Sequence, residues 1–439
     1  MLNVPGSLAQ MLSLFRLCFT APSFATFSAL TLGFVAQIGR HTVTGCLQAA
    51  GLAGVWHHAR AHRFFSQARW SADALGLILL DLVVAKLVPA GAPLLVAVDD
   101  TLLRRSGRKV FGCYWHYDAA AKTKRGQRSA WGNSWVVLGV VVCLPFLARP
   151  VCLPVLFRLW RPKEKRPTKP WLARELVELV ACRHPGRRIE VVADAAYAAQ
   201  ALARLPENVT LTARLRRDAA LFAKAPPRTG KRGRPRTKGE RLPSLAEIAN
   251  DARTEWQTVT VSRYGQRAEL RLHAVCCLWY GVFASQQVTV VLVREQGRDE
   301  GFDLALVSTE LEDSAAGLVE RYAKRWAIEV SFHEAKQLAG VGEAQNRVER
   351  AVLRTAPFGF LCLSLAVAWY ALYGHAPADV AEHRSRAPWY RTKAHPSVAD
   401  MLIKLRREII AAQFPAGRVR GPTAQQIPAA TWALAAAAA

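Results

Sequence analysis

No CxxC pair occurs among the nine cysteines, which lie at 18, 46, 113, 143, 152, 182, 276, 277 and 362, and their number is odd. That spacing argues against a zinc ribbon and a disulfide framework and suits buried thiols in a reducing, cytoplasmic compartment. The first apolar residues have no basic segment ahead of them and Arg16 interrupts the run that follows, so a signal peptide is not expected. Long apolar runs are scarce. Residues 135–148 are too few for a bilayer span and include Pro145, and residues 358–374 are near the lower length limit and include Ser364. Buried strands and a core helix are the expectation there, with no membrane partner. No internal repeat is visible. Acidic residues are few, 33 against 59 Lys and Arg, for a formal net charge of +26.

A surplus of that size calls for a polyanion. Nucleic acid is the first candidate, because each phosphate neutralised by Lys or Arg releases condensed counterions. An anionic membrane surface and a basic protein with no polyanionic partner are the alternatives. With 51% apolar residues in 439, the chain can build a sizeable core and is long enough for two or three domains.

The pattern changes along the chain. Residues 1–88 suggest a helical, DNA-binding domain with a basic aromatic stretch, Trp56 to Phe65. His58 and His62 stand one helical turn apart, but no Glu follows His58 and no further ligand pair is near, so a phosphate-facing or merely solvated helix surface is expected rather than zinc. Residues 89–215 hold strand-length apolar runs: 94–98, ending in Asp99, Asp100 and Thr101; 135–144 and 151–159, an expected antiparallel pair; 189–193, ending in Asp194; and 209–215. A helix is expected over 171–182. This order predicts a mixed α/β sheet covered on both faces, with the acids at one sheet edge. Residues 216–308 comprise a basic Pro/Gly-rich loop and a β-rich insertion, with strands expected at 256–262, 268–275, 288–293 and 304–308. Helical periodicity returns over 309–376, and 377–439 is a basic, Ala-rich C-terminal region.

The sharpest local pattern is ERYAKRWAIEVSFHEAKQLAG. At about 100° per helical residue, Tyr322, Arg325, Glu329 and Lys336 fall within a ~60° arc, whereas Glu334 lies roughly 150° from its centre. Glu329 is therefore the carboxylate that this face presents. A carboxylate flanked by bases suits a ligand that combines metal ions with phosphate; an amphipathic helix with Arg325–Glu329 pairing is the bland alternative. The acids at 99/100 and 194 shift the balance. Two divalent ions ~4 Å apart repel by roughly 17 kcal/mol at an effective dielectric of 20, so several carboxylates must gather to hold them. Neighbouring strand residues point to opposite faces, so only one of Asp99 and Asp100 is expected as the main ligand; the sequence leaves open which.

The set VAVDDT, VVADAAY and Y-x2-R-x3-E-x6-K, in this order across about residues 94–340, resembles bacterial insertion-sequence transposases of the DDE class, in the group with a β-strand insertion. The resemblance implies a ribonuclease-H-like core that cleaves transposon ends and transfers the freed 3′-hydroxyl into target DNA. It also implies two Mg2+ ions, replaceable by Mn2+, on Asp99 or Asp100, Asp194 and Glu329. Tyr322, Arg325 and Lys336 would contact double-stranded DNA, bound by a homodimer in a bacterial, nucleoid-associated setting. A nuclease of the same fold without strand transfer and a non-catalytic, transposase-derived DNA-binding protein are the alternatives.

Other residues carry weaker expectations. Arg214, Arg216 and Arg217 at a strand end could grip phosphate or form a plain basic surface. Arg232, Arg234 and Arg236 resemble the core of a minor-groove hook, with non-specific phosphate binding as the alternative. Tyr197 could stack near the site or pack in the core, His333 could orient a water or be a solvated helix residue, and Trp256 and Trp279 are expected to pack within the insertion.

Overall fold

The computed structural model describes residues 3–118, 128–162, 167–227 and 235–413. Arg232, Arg234 and the Ala-rich C-terminal tail lie outside the described residues. Five helices open the chain: α1 (Gly6–Ser13), α2 (Ala21–Ala36), α3 (Val43–Ala49), α4 (Ala59–Ser66) and α5 (Ala72–Leu87). There follow β1 (Leu94–Arg104), β2 (Tyr114–Tyr117), β3 (Ser129–Val142), β4 (Val151–Trp160), α6 (Lys169–Arg183), β5 (Ile189–Ala193) and β6 (Val209–Arg214). The next segment holds α7 (Leu245–Asn250), β7 (Gln257–Arg263), β8 (Gln266–Cys277), α8 (Tyr280–Phe283), β9 (Val288–Glu295) and β10 (Leu304–Ser308). The remaining helices are α9 (Ala315–Ala323), α10 (Trp326–Leu338), α11 (Glu349–Trp369), α12 (Asp379–Arg386) and α13 (Val398–Gln413).

The strands make one mixed sheet of order β2-β3-β1-β5-β6-β10-β9-β8-β7, with β4 on β3. β1 and β5 are parallel, as are β5 and β6, while β1, β3 and β4 are antiparallel neighbours. The α/β class expected from the sequence is thus realised, with N-terminal helices and a β-rich insertion. That insertion does not fold as a separate sheet: β10 pairs antiparallel with β6, so β7–β10 continue the core sheet past an edge whose backbone groups would otherwise lack partners.

Both faces of the central strands are buried, which is why β1, β3 and β5 show near-continuous apolar runs. Helices α5 and α6 cover one face, joined through Arg158, which donates to Asp73 on α5 and Glu175 on α6. Helices α10 and α11 cover the other, where Phe332 and Phe360 pack together and Phe360 stacks on Phe157 of β4. Among the described residues, Glu349–Gly374 is the one helical stretch long and apolar enough to cross a membrane, and 78% of its most apolar window is buried inside the fold. A smaller apolar cluster, built from Val261, Leu270, Val291, Leu306 and Leu318, seats α9 on the insertion strands.

Two close approaches set the helix positions. A Cβ on Gly76 would stand 2.0 Å from the Val155 carbonyl oxygen, so α5 can lie against β4 only because this residue has no side chain. Similarly, a Cβ on Gly33 of α2 would stand 1.9 Å from the Cys46 carbonyl oxygen. Gly76→Ala is expected to lower unfolding free energy by about 1–3 kcal/mol in urea titration, the usual cost of overpacking. Gly186→Ala, with nothing within 4 Å, should change it far less; equal effects would contradict this account of α5.

Candidate active site

β1 runs on past its acids to Arg104, so Asp99 and Asp100 sit in mid-strand rather than at its end. The three-stranded β1–β3–β2 extension continues beyond β5, which stops at Ala193. Val98 pairs with Ala193, the last residue of β5, so Asp99 and Asp194 are the next residues along neighbouring parallel strands, and strand alternation carried one residue past β5 directs both to the same face. Two acids 95 positions apart in sequence become lateral neighbours in this way.

The adjacent aspartates have different surroundings. Asp99 Oδ1 accepts from the Asp100 backbone N–H at 2.8 Å, and Oδ2 accepts from Arg325 at 2.9 Å. Asp100 turns to the opposite face, where Lys169 of α6 donates to Oδ2 at 2.5 Å and the buried Tyr197 hydroxyl donates to Oδ1 at 3.1 Å. Asp100 therefore ties β1 to α6. This geometry separates two residues that the sequence treats alike, because strand alternation sends them to opposite helical layers. Tyr197 belongs to the buried core rather than to an open stacking surface.

Arg325 bridges the site. Its second terminal nitrogen donates to Glu329 Oε1 at 2.6 Å, so one guanidinium links Asp99 and Glu329 across 230 positions of sequence. Only 11% of the Arg325 side chain and 18% of Asp99 are exposed. Burial pushes the Asp99 carboxyl up to about 7 even though Arg325 and the Asp100 N–H pull it down. Burial disfavours the Arg325 charge, but Tyr322, Asp99 and Glu329 together raise its pKa. Its Nε is buried without a hydrogen-bond partner. By contrast, the half-buried Asp194 carboxylate accepts no hydrogen bond among the described residues, and Tyr197 and Tyr322 feel its charge.

The expected single helix around Glu329 is broken between Ala323 and Trp326. Lys324, Arg325, Ala327 and Ile328 donate to carbonyls three residues back, which tightens one turn and angles α10 toward β1. The four residues expected on one helix face consequently divide. Tyr322 is buried, 8% exposed, in the cluster that seats α9, and its ring lies 5.6 Å from the Arg325 guanidinium. In this conformation it supports Arg325 rather than offering a DNA-facing surface. Arg325 and Glu329 face Asp99, and Lys336 is exposed two turns farther on, with Asp118 and Arg104 as its charged neighbours.

A buried ionic cluster missed in the sequence fixes α9. Arg321 donates to Glu190 of β5 and pairs with Asp313, while Arg188 bridges Glu190 at 3.1 Å and Glu310 at 2.9 Å. Glu190 lies on the same strand face as Asp194, four residues earlier, so α9 is anchored beside the site. An isolated Glu in an apolar strand was the available signal. Arg214 and Arg236 are exposed, Arg216 pairs with Asp218, and Arg217 lies over Phe302. His333 is exposed. Trp279 is buried in the core, and Trp256 packs under Arg294.

Among the described residues, no three His, Cys, Asp or Glu side chains stand close enough together to hold an ion. Arg325 occupies the space between Asp99 and Glu329, and its positive charge offsets theirs. The donor set of Asp99, Asp194 and Glu329 is all carboxylate oxygen, which fits a hard divalent cation once Arg325 moves aside.

Raising the Asp99 carboxyl above its unfolded value means the native state binds its proton more tightly, so this group's contribution to stability is lost as pH rises from about 4 through about 7. Without divalent ions, the melting temperature of Asp99→Asn relative to the parent should be higher at pH 8 than at pH 4. A difference in melting temperature that does not change with pH would contradict the assignment. Burial also pushes Glu334 up to about 7, which is why the comparison is with the parent and not of absolute slopes.

A cryo-EM structure of a piggyBac transposase synaptic complex with hairpin DNA aligns with 98% of this chain and 82% of its own, at 11% identity and a TM-score of 0.42, a likeness too low to carry an argument. A comparison with the curated proteins finds no match. The family described as DDE superfamily endonuclease matches residues 15–272, which include β1 and β5 with their acids and stop short of Glu329. That span is more than half of the sequence, and the chain belongs to the DDE superfamily endonucleases.

Proposed function

We propose that this chain is a DNA transposase that cleaves transposon ends and joins them to target DNA, with Asp99, Asp194 and Glu329 as its catalytic carboxylates. The observation that carries the reading is the Asp99–Arg325–Glu329 bridge, with Asp194 one residue past the Val98–Ala193 pair that precedes Asp99. One guanidinium links Asp99 and Glu329, and Asp194 follows the strand beside Asp99, in a chain whose net charge of +26 can hold a polyanion. Superfamily membership implies divalent metal ions; two Mg2+, or Mn2+, would polarise the scissile phosphate and lower the pKa of the attacking water.

On this reading the three carboxylates hold their positions through the fold: Asp99 through the Asp100 N–H, Asp194 at the end of β5, and Glu329 through α10. Arg325 keeps Asp99 and Glu329 together before substrate arrives and then turns to the phosphate backbone. Asp100 secures β1 from behind through Lys169 and Tyr197. Water attack would free a 3′-hydroxyl, and attack of that hydroxyl on target DNA would exchange one phosphodiester bond for another. Lys336, exposed on α10, grips the duplex beyond the cut, and Arg214 and Arg236 add sequence-independent contacts. A homodimer would pair two ends. The five N-terminal helices, the core, the insertion and the C-terminal helices are the units we assign to these tasks, with residues 1–88 binding DNA. A bacterial insertion sequence is the proposed source.

Glu329→Gln and Asp194→Asn should each lower end cleavage by about a thousandfold or more, since several kcal/mol of transition-state stabilisation would be lost. End binding in a gel-shift assay should stay within a few-fold of the parent. Equal loss of binding and cleavage would refute the catalytic assignment. A pre-cut end supplied with target DNA tests joining separately; cutting without joining would favour a plain nuclease. Lys336→Ala should reduce the log–log salt slope of DNA binding by about one, and an unchanged slope would remove this residue from the interface.

A further inference from the structure

The β1–β3–β2 extension carries a surface that the catalytic reading does not use. Trp115 and Tyr117 of the edge strand β2 are 68% and 72% exposed, whereas His116 between them is buried. Singly exposed aromatics are common, but two on one edge strand make a contiguous apolar patch of the kind that marks an interaction site. Register shows where they lie. Trp115 pairs with Trp131 and Tyr117 with Ser129; along β3, residues 131, 133, 135 and 137 share one side of the pleat, and Val137 pairs with Asp99. Trp115 and Tyr117 therefore stand on the face that bears Asp99, farther along the same strands. Trp115 and Trp131 make a T-shaped contact, 5.9 Å between centroids, and Trp115 keeps about two thirds of its surface exposed beside it.

The surroundings are basic. The Trp131 indole N–H donates to the Gly107 carbonyl, which brings the turn holding exposed Arg108 and Lys109 beside the pair. Exposed Arg128 flanks Tyr117 across the strand, through the bond from the Asp118 N–H to its carbonyl. Lys336, two turns beyond Glu329 on α10, has Asp118 and Arg104 as its charged neighbours, so α10 links the acids to this patch. Open aromatic faces rimmed by cations suit nucleobases, which stack while their phosphates meet the positive charges. A paired duplex hides its bases and cannot use such rings. A second copy of this chain would bring its own +26 charge against the same rim, which disfavours a self-interface.

We propose that Trp115 and Tyr117 form a stacking platform for an unpaired stretch of the DNA strand that runs along the Asp99 face. The proposal rests on the reading of that face as a DNA-processing face, but its test does not need cleavage. The full chain, without divalent ions, is titrated against a fluorescently labelled blunt duplex and against the same duplex bearing a six-nucleotide single-stranded overhang. Trp115→Ala should weaken overhang binding by about 5- to 150-fold, the range that alanine substitution of one stacking aromatic produces, and blunt-duplex binding by less than twofold. Trp115→Phe should retain most of the overhang preference, and Trp115→Ala with Tyr117→Ala should abolish it. Both rings are exposed, so the melting temperature should hold. Equal losses on both DNAs, or no loss on either, would overturn the platform. Loss of self-association in sedimentation with DNA affinities intact would assign the patch to a copy of the chain instead. If Glu329→Gln keeps end cleavage while Trp115→Ala still loses the overhang preference, the catalytic reading fails and the platform stands.

Discussion

One buried guanidinium organises the candidate site. Arg325 sits between Asp99 on β1 and Glu329 on α10 and gives one terminal nitrogen to each. Without it, two carboxylates would face each other in a poorly solvated space, and Asp99 already bears a desolvation cost that lifts its pKa to about 7. A cation is required there, and in the proposed function the arginine holds that place until metal and phosphate arrive. Buried ion pairs contribute little net stability because desolvation offsets their attraction, so such an arrangement is better explained by function than by folding.

Much of the remaining structure serves to keep that bridge in place. The Arg321–Glu190–Asp313 cluster anchors α9, the tightened turn at Lys324–Arg325 redirects the chain, and Tyr322 fills the space under the guanidinium. From the other face, Lys169 and Tyr197 pin Asp100 and with it the β1 backbone that carries Asp99. Because β10 closes onto β6, the insertion shares a sheet with the acids, and its apolar cluster also seats α9.

Most of the strands were legible in the sequence because central strands buried on both faces appear as apolar runs of the right length; 189–193 and 304–308 agree with β5 and β10 residue for residue. The short strand β2 was not legible, since Tyr114 to Tyr117 has three aromatic residues and a His with no apolar run and owes its conformation to pairing with β3. Helical periodicity chose Glu329 over Glu334, and Arg325 joins Glu329 to Asp99. Periodicity could not reveal the break before Trp326, because a tightened turn has no sequence signature there, nor could it foresee that Tyr322 would be buried by strands about 15 to 60 residues earlier. Asp99 and Asp100 were indistinguishable until the helical layer on each face was known.

Crystals of the full chain grown with Mn2+ and a short duplex end would test the central claim most directly, through anomalous scattering at the manganese edge. The account predicts density among Asp99, Asp194 and Glu329, with the Arg325 side chain turned away from both of its present partners. Manganese bound at Asp100, or an Arg325 bridge that stays closed while the ion binds elsewhere, would contradict it.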